Sequence, residues 1–203
     1  MRALLLIDLQ NDFTPGGSLP VNRGEEVVGV ANAMMARFDL VVATQDWHPA
    51  GHSSFASSHP GFSPGDETMV GGVMNRLWPD HCVQHTPGAS FHSDLDIAGV
   101  GHVVHKGTDT DIDSYSGFFD NGHLKDTGLG AYLKAQGVSE VWIAGLATDY
   151  CVKYTALDAR GLGLATAVIL DGCRGIDVTP GDVDAALSEM HSAGCELVTS
   201  SEV

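Results

Sequence analysis

Hydrophobic and polar residues are grouped along the chain in a way that predicts alternating strands and helices. Short apolar runs bounded by turn residues predict six buried strands, at residues 3–8, 40–44, 100–105, 140–144, 164–170 and 195–199. Apolar residues at helical spacing predict four helices, at residues 25–37, 124–136, 150–161 and 179–193. Strands that alternate with helices favour a parallel sheet covered on both faces. We therefore predict an α/β fold of three layers, α/β/α, around a six-stranded, mostly parallel sheet.

One segment, residues 45–98, interrupts this alternation. It holds most of the prolines and histidines of the chain and has little periodicity. Long irregular segments in compact domains tend to carry function. The chain contains no internal repeat, low-complexity tract or linker, and 203 residues suffice for one sizeable core. We expect a single domain, 1–203, in which 45–98 is a loop-rich insertion.

The composition is strongly acidic. Asp and Glu number 26 against 10 Lys and Arg, which gives a formal charge of −16. This charge argues against nucleic acid or an anionic membrane as a partner. A small-molecule ligand is compatible with it, and the pattern leaves a homo-oligomer open.

The cysteines and the apolar segments bear on the compartment. Four cysteines are scattered without CxxC spacing, which predicts a reducing environment. The apolar run at 3–7 is short, meets Asp8 at once and lacks a signal-peptide cleavage site. No stretch is long enough to cross a membrane as a helix. We expect a cytoplasmic protein.

The turn at residues 145–151 is the first candidate for chemistry. It lies between the apolar run 141–144 and the helix that begins near Tyr150, which places Cys151 at a helix N-terminus. Unpaired N–H groups and the positive end of the helix dipole meet there, and such a site favours a thiolate and a developing oxyanion. Cys151 is therefore a candidate nucleophile, with a small packed cysteine as the alternative.

Three other polar residues directly follow apolar strands: Asp8, Asp46 and Lys106. In open parallel sheets, ligands bind beyond the carboxyl ends of the strands, so these residues and Cys151 are expected at one edge. A carboxylate near a thiol can accept its proton and later deliver it to a leaving amine. A nearby lysine stabilises the anionic forms and lowers the thiol pKa below its free value of about 8.5. A solvated charge at a strand end is the alternative for Lys106.

A second cluster contains Asp46, His48 and His81. An Asp-x-His pair on an extended segment points both side chains to the same side. With a distant imidazole, it forms a set of ligands suited to Zn²⁺, Mn²⁺ or Fe²⁺. Spacing alone leaves the metal undecided, because ten histidines produce accidental pairs. His52 is either a further ligand or a packed loop histidine.

Six segments together resemble one family, the nicotinamidases (pyrazinamidases) of the isochorismatase-like cysteine hydrolases. They are LIDLQNDF at 6–13, TQDWHP at 44–49, LWPDHCV at 77–83, KG at 106–107, YSGF at 115–118 and GLATDYCV at 145–152. They run in the family's order across nearly the whole chain. The resemblance implies the isochorismatase-like hydrolase fold.

The resemblance also implies the reaction, which is hydrolysis of nicotinamide, and also of pyrazinamide, to the acid and ammonia. In this family the reaction belongs to NAD salvage and pyridine nucleotide biosynthesis. Asp8 would be the general base and acid, Lys106 its charged partner, and Cys151 the nucleophile that forms a thioester. The family has a non-proline cis peptide, here at Leu146–Ala147, which aims the N–H groups of Ala147 and Cys151 at the oxyanion.

The resemblance further implies one divalent metal ion, Zn or Mn/Fe, held by Asp46, His48 and His81 within the 45–98 insertion. The pyridine nitrogen of the substrate would meet that metal. The other ring contacts that the resemblance implies are Phe13 and Trp78 on the two faces of the ring, with Tyr115, Leu146 and Tyr150 around it. Tyr150 stands where some relatives have a histidine.

Three other functions compete with this interpretation. An isochorismatase-type vinyl-ether hydrolase shares the fold but does not need the Asp46, His48 and His81 set. An amidase for carbamoyl or ureido acids would be expected to carry a cationic clamp for the substrate carboxylate. A catalytically silent binding protein is disfavoured because Asp8, Lys106 and Cys151 are all present.

Overall fold

A six-stranded sheet lies at the centre of the molecule. The computed structural model describes all 203 residues. Its strands and helices, in chain order, are β1 Arg2–Ile7, α1 Glu26–Met35, β2 Leu40–Asp46, β3 Glu67–Val70, β4 Val73–Arg76, β5 His102–Lys106, α2 Leu129–Ala135, β6 Glu140–Leu146, α3 Lys153–Gly161, β7 Ala165–Arg174, α4 Asp182–Ser192 and β8 Glu196–Val198. None of the helices has the length and apolar character needed to cross a bilayer.

The strand order of the sheet is β5-β2-β1-β6-β7-β8, and every neighbouring pair is parallel. The predicted six-stranded α/β fold is therefore confirmed. The order runs outward in one direction from β1 and in the other from β6, so the topological switch point lies between these two central strands. Ligand sites in open α/β sheets form at this point, beyond the carboxyl ends of the strands. Asp8 directly follows β1, and Cys151 lies in the turn after β6.

The central strand β1 is buried on both faces because helices cover both sides of the sheet. Leu4 and Leu6 belong to the core under α1, whereas Leu5 and Ile7 belong to the core under α2, α3 and α4. All four side chains are completely buried. The continuous apolar run at the start of the chain is the sequence signature of such a strand.

Two predicted elements differ from the observed ones. The predicted helix at 124–136 begins only at Leu129, because the buried carboxylate of Asp120 accepts the N–H groups of Gly122, Leu124 and Lys125 at 2.8–2.9 Å and holds this stretch in turns. The last helix begins at Asp182, after the predicted start at 179.

The segment 45–98 is not entirely irregular. It contains the antiparallel hairpin of β3 and β4, in which Glu67 pairs with Arg76 and Val70 with Val73. Sequence periodicity missed this hairpin because its strands have only four residues each and are mostly exposed or half-buried. The hairpin matters for the site, since β4 leads directly to Trp78.

Gly145 brings β6 and β1 together next to the site, which yields a stability prediction. Its φ is +135°, and a Cβ atom at this position would lie 2.1 Å from the carbonyl oxygen of Ile7. We expect Gly145→Ala to lower the free energy of unfolding by about 2–4 kcal/mol, through strain and backbone displacement. Urea denaturation measures this change.

The matched control is Gly29→Ala, at an exposed position inside α1 where a Cβ atom meets nothing within 4 Å. This replacement should stabilise the protein by about 0.5–1 kcal/mol, because alanine loses less conformational entropy in a helix. Equal free energies of unfolding for the two variants would contradict the packing argument at Gly145.

Candidate active site

Four polar side chains meet at the carboxyl edge of the sheet, as the sequence predicted. Asp46 and Lys106 end β2 and β5, which are paired at these two residues. Asp8 follows β1, and Cys151 lies in a wide helical turn, Thr148–Val152, between β6 and α3. All four residues are buried, with Asp8 and Lys106 at 0% and 1% exposure. Adjacent parallel strands therefore bring together residues that are far apart in the chain.

The ammonium of Lys106 contacts every other member of this group. Its Nζ lies 2.9 Å from Asp8 Oδ2, 3.1 Å from Asp46 Oδ1 and 3.5 Å from Cys151 Sγ. It also donates to the carbonyl oxygen of Ser114 at 3.0 Å. Burial disfavours the charged form, but the carboxylates of Asp46 and Asp8 outweigh it and hold the pKa of Lys106 well above its ordinary value. The lysine is therefore a fixed positive charge.

Asp8 is held so that one of its oxygens remains available. The hydroxyl of Thr44 donates to Asp8 Oδ1 at 2.6 Å and accepts the Asp8 backbone N–H at 3.2 Å. Oδ2 is buried and accepts no directed hydrogen bond, although Lys106 Nζ is close to it. Burial raises the pKa of Asp8, against the opposing charge of Lys106. A carboxylate with a raised pKa and a free lone pair is suited to accept a proton.

The Cys151 thiol differs from the expectation that its turn and Lys106 lower its pKa. Burial raises the pKa of Cys151 well above its ordinary value, and the carboxylates of Asp8 and Asp46 raise it further, so the opposing effect of Lys106 is outweighed. The resting sulfur is therefore protonated. It needs a base to become a nucleophile, and Asp8 is the carboxylate with a free oxygen in the group.

The turn before Cys151 has the backbone that the family resemblance implied. The peptide bond between Leu146 and Ala147 is cis. The carbonyl oxygen of Ala147 accepts the N–H groups of Tyr150 and Val152, whereas the Ala147 N–H donates to no protein group. Ala147 and Cys151 line the same cleft. An unpaired N–H beside a candidate nucleophile is the kind of donor that can hold an oxyanion.

The predicted metal ligands converge on one oxygen. Asp46 Oδ2 lies 2.9 Å from His48 Nε2 and 3.4 Å from His81 Nε2, and all three residues are buried. Each histidine places its other ring nitrogen on a backbone carbonyl, His48 Nδ1 on Gly107 at 3.0 Å and His81 Nδ1 on Pro79 at 2.8 Å. In the neutral rings these carbonyls accept hydrogen bonds from the Nδ1–H groups. Both Nε2 lone pairs are then directed at the carboxylate.

Three electron-rich atoms this close together fit a cation. The buried carboxylates of Asp8, Asp46 and Asp113 outnumber the single ammonium of Lys106 at this edge of the sheet, which favours the binding of a cation. In the protein alone, Asp46 overcomes the effect of burial and raises the pKa of His48, which reflects the same preference for positive charge at this point. The donor set, one carboxylate and two imidazoles, suits a divalent metal of the zinc, manganese or iron type.

His52 lies in a second group with His48 and Asp113, and the ligand atoms of the three lie within 4.8 Å of one another. Its Nδ1 contacts Ser54 Oγ at 2.8 Å and accepts the Ser54 N–H, while its buried Nε2 has no partner. His52 is thus a packed histidine beside the metal-ligand set. It does not share Asp46 Oδ2 with the predicted ligands.

The cleft in front of Cys151 contains nearly all the predicted ring contacts. Its lining residues are Phe13, Leu19, Asp46, Trp78, His81, Asp113, Tyr115, Ala147, Tyr150, Cys151 and Ile176. Leu146 is the exception, because its side chain is fully buried in the core under α1 and does not line the cleft. We therefore no longer expect the Leu146 side chain to contact a ligand.

Several residues of the site were not singled out from the sequence. The Gln10 amide donates to the carbonyl oxygen of Asp46 at 2.8 Å and accepts its N–H at 2.7 Å, which fixes the backbone of that residue. The fully buried ring of Phe55 packs against His48, His52 and His81, with ring centroids 5.4–5.6 Å apart. Gln10 lies within the motif at 6–13, and this motif is the one sequence signal that could have identified it. Phe55 stands in a stretch without periodicity.

Comparisons with known proteins agree with this geometry. A family model described as the isochorismatase domain matches residues 2–202. The nicotinamidase of Escherichia coli (strain K12) is 48% identical over 202 residues, which cover 98% of this chain and 94% of the relative. A solved nicotinamidase/pyrazinamidase of Acinetobacter baumanii superposes with a TM-score of 0.96 at 42% identity, covering 99% of this chain and 97% of the other. A pyrazinamidase of Pyrococcus horikoshii in complex with zinc has a TM-score of 0.78 at 38% identity, with 98% of each chain covered.

Gly107 gives a test of the metal-ligand set. Its φ is +62°, and a Cβ atom here would lie 2.5 Å from His48 Cε1 and 3.0 Å from Asp46 Oδ1. We expect Gly107→Ala to displace both side chains and weaken divalent-metal affinity about 10–100-fold. Competition with a chromophoric chelator measures the affinity.

The control, Gly137→Ala, has a similar φ of +73° but no atom within 4 Å of the new Cβ. It carries the same backbone strain and should bind metal as the unmodified protein does. Unchanged affinity in Gly107→Ala would show that the metal binds elsewhere.

Proposed function

The chain belongs to the isochorismatase family, and we propose that within this family it is a nicotinamidase. It hydrolyses nicotinamide, and also pyrazinamide, to the corresponding acid and ammonia. The observation that carries this proposal is that Lys106, behind the cleft, contacts both Asp8 and Cys151, and that Cys151 lines the cleft beside the Asp46, His48 and His81 set. The full-length similarity to nicotinamidases supports the same substrate class, a small aromatic amide.

The first step in this proposal is the attack of Cys151 on the amide. Asp8 Oδ2, which has no other hydrogen-bond partner, accepts the thiol proton as the sulfur forms a bond to the carbonyl carbon. The carbonyl oxygen becomes an oxyanion and accepts hydrogen bonds from the N–H groups of Ala147 and Cys151. Lys106 stays charged throughout. Its ammonium stabilises the thiolate form of Cys151 as the thiol proton departs.

The second step releases ammonia and then the acid. Protonated Asp8 donates its proton to the amide nitrogen, the C–N bond breaks, and a thioester to Cys151 remains. Asp8, again a carboxylate, takes a proton from the water that attacks the thioester. The carbon–sulfur bond then breaks, the acid leaves, and the sulfur recovers its proton from Asp8. The original thiol proton leaves with ammonia and a proton of the attacking water replaces it, so the cycle closes on the resting thiol.

A divalent metal fits the Asp46, His48 and His81 set, and we propose zinc, manganese or iron as its identity. When bound there, the ion offers a coordination position for the pyridine nitrogen of the substrate. Zinc has independent support, because the Pyrococcus horikoshii pyrazinamidase was solved with it. The aromatic residues Phe13 and Trp78 would then pack on the ring of the bound amide.

The composition of the cleft disfavours the two competing hydrolases. No lysine or arginine lines it, whereas an amidase for carbamoyl or ureido acids needs a cation for the substrate carboxylate. A vinyl-ether hydrolase of the isochorismatase type has no use for three buried metal ligands. Aromatic walls and a metal set suit a neutral pyridine amide.

The remaining expectations from the sequence belong to this proposal. We propose one domain, 1–203, in which 45–98 supplies all three metal ligands. We also propose a place in NAD salvage, in the cytoplasm, because the substrate is the amide that NAD breakdown releases.

Replacement of the nucleophile gives the most direct test. Cys151→Ala and Asp8→Asn should each lower ammonia release from nicotinamide by about 10⁴-fold or more, since groups that act as a unit fail together. The measurement is a coupled ammonia assay on folded, metal-loaded protein, with circular dichroism to confirm the fold.

A buried cysteine outside the site serves as the control. Cys195 is 2% exposed, belongs to the core under α4 and has no contact with the cleft. Cys195→Ala should retain wild-type kcat. If Cys151→Ala still released ammonia at a similar rate, the nucleophile assignment would be wrong.

Removal of the metal tests the other half of the site. Protein stripped by a chelator should lose nearly all activity and regain it with Zn²⁺, Mn²⁺ or Fe²⁺. His48→Ala should not recover, because it lacks one of the three ligands. The control His191→Ala, at the exposed end of α4, should recover fully. Full activity of the stripped wild-type protein would rule out a role for the metal.

A further inference from the structure

A chain of hydrogen bonds extends from the ring pocket into the β3–β4 hairpin. The indole Nε1–H of Trp78 donates to Tyr115 Oη at 3.1 Å, and the Tyr115 hydroxyl donates to Asn75 Oδ1 at 2.7 Å. Trp78 and Tyr115 both line the cleft in front of Cys151. Asn75 does not line it, and yet it accepts the only proton that the Tyr115 hydroxyl can donate.

Asn75 is anchored on its other side by the loop that follows β5. Its Nδ2 donates to Asp113 Oδ2 at 3.4 Å, and Asn121 Nδ2 donates to its Oδ1 at 3.3 Å. These two anchors are themselves tied together, because the Asn121 N–H donates to the Asp113 carbonyl at 2.8 Å. Asn121 Oδ1 accepts the Tyr115 N–H at 2.9 Å. The amide of Asn75 is therefore held from several directions.

The position of Asn75 in its hairpin is unusual for a polar residue. It is 5% exposed, whereas the neighbouring Met74 is 60% exposed and Met69, on the opposite strand, is 56% exposed. The hairpin thus turns two apolar side chains to solvent and one amide inward. A buried amide costs free energy unless its groups are paired, and here both its donor and its acceptor sides have partners.

The partners also determine the orientation of each group. The Asp113 carboxylate can only accept, so it selects the amide nitrogen of Asn75, and the oxygen then faces Tyr115. Burial raises the pKa of Tyr115 well above its ordinary value, so its hydroxyl keeps the proton that it donates. The remaining lone pairs of Tyr115 Oη face the Trp78 indole. The order of donors and acceptors fixes both aromatic rings.

We propose that Asn75 is a positioning residue that sets the aromatic wall of the substrate pocket through Tyr115 and Trp78. This inference rests on the proposed function, in which Trp78 packs on the ring of the amide substrate. Asn75 contacts neither the substrate nor the reacting atoms. Asp8, Lys106 and Cys151 have no hydrogen bond to it, and their geometry comes from the sheet edge.

The physical consequence is a separation of binding from chemistry. Without the Asn75 amide, the half-buried Tyr115 hydroxyl loses its acceptor, and it must turn toward another partner. The Trp78 indole then loses its fixed acceptor, so the two rings sample orientations that do not match a flat substrate. The loss falls on interactions made equally in the ground state and the transition state, which raises KM more than it lowers kcat.

The test compares Asn75→Leu with Met74→Leu, its exposed neighbour on β4. Leucine has the same number and branching of side-chain heavy atoms as asparagine, but its side chain forms no hydrogen bonds. Asn75→Leu should raise the KM for nicotinamide tenfold or more and change kcat less than threefold. Met74→Leu should change both constants less than twofold. An unchanged KM in folded Asn75→Leu overturns the proposal, whether or not kcat falls.

A double-mutant cycle shows whether Asn75 acts through Tyr115. Tyr115→Phe removes the same hydrogen bond from the other side, together with the acceptor of the Trp78 indole, and leaves the hairpin sequence unchanged. If the two residues act as one unit, Asn75→Leu in the Tyr115→Phe background should change KM less than twofold. Effects that multiply in the double variant overturn the proposal. If Asn75→Leu does not fold, the smaller replacement Asn75→Ala takes its place in both comparisons, and the same outcomes decide.

The proposed function and this inference can fail separately. Wild-type, metal-loaded protein that releases no ammonia from nicotinamide would overturn the function. The aromatic wall formed by Trp78 and Tyr115 is then examined without turnover. Nicotinamide is titrated calorimetrically into metal-loaded Cys151→Ala, once with and once without the additional Asn75→Leu replacement. A tenfold higher dissociation constant with Asn75→Leu supports the positioning role, and equal dissociation constants overturn it.

Discussion

The buried ammonium of Lys106 is the interaction on which the rest of the site depends. It lies 2.9 Å from the Asp8 carboxylate and 3.1 Å from the Asp46 carboxylate, with no access to water. Removing a charge from water is costly unless other charges compensate for it. Here the compensation runs in both directions, because neither carboxylate would be stable in this position without the lysine. Three separate strands, β1, β2 and β5, must therefore end together for any of these charges to be buried.

Asp46 joins the two halves of the site. Its Oδ1 faces Lys106 and its Oδ2 faces the two histidines. Any cation held by Oδ2 thus acts on the same carboxylate that helps to keep Lys106 charged. The metal set and the proposed nucleophile are not independent modules grafted on one sheet. They share Asp46, whose backbone N–H and carbonyl are both hydrogen-bonded by the side-chain amide of Gln10, three residues after the first strand.

Much of the fold and the site could be predicted from the sequence, for identifiable reasons. The apolar runs around residues 3–8 and 140–144 predict strands, because both faces of β1 and β6 are buried and nearly every residue in them is apolar. Asp8, Lys106 and Cys151 stand out because chemistry-bearing residues directly after strands gather at one edge of a parallel sheet. The β3–β4 hairpin and the start of α2 could not be predicted. The hairpin carries little periodicity, and the start of α2 depends on the side chain of Asp120.

What the sequence by itself determined is the order of the elements that form the central sheet and the identity of the polar residues that meet at its carboxyl edge. The tertiary structure alone decided the direction in which the pKa of the Cys151 thiol shifts, because burial outweighs Lys106 and no local pattern reports burial. It also decided the partners of Asn75, Phe55 and Asp113, which lie in stretches without a periodic signal. The physical reason is that hydrogen bonds and desolvation act between atoms that are close in space, whereas sequence patterns report only neighbours along the chain.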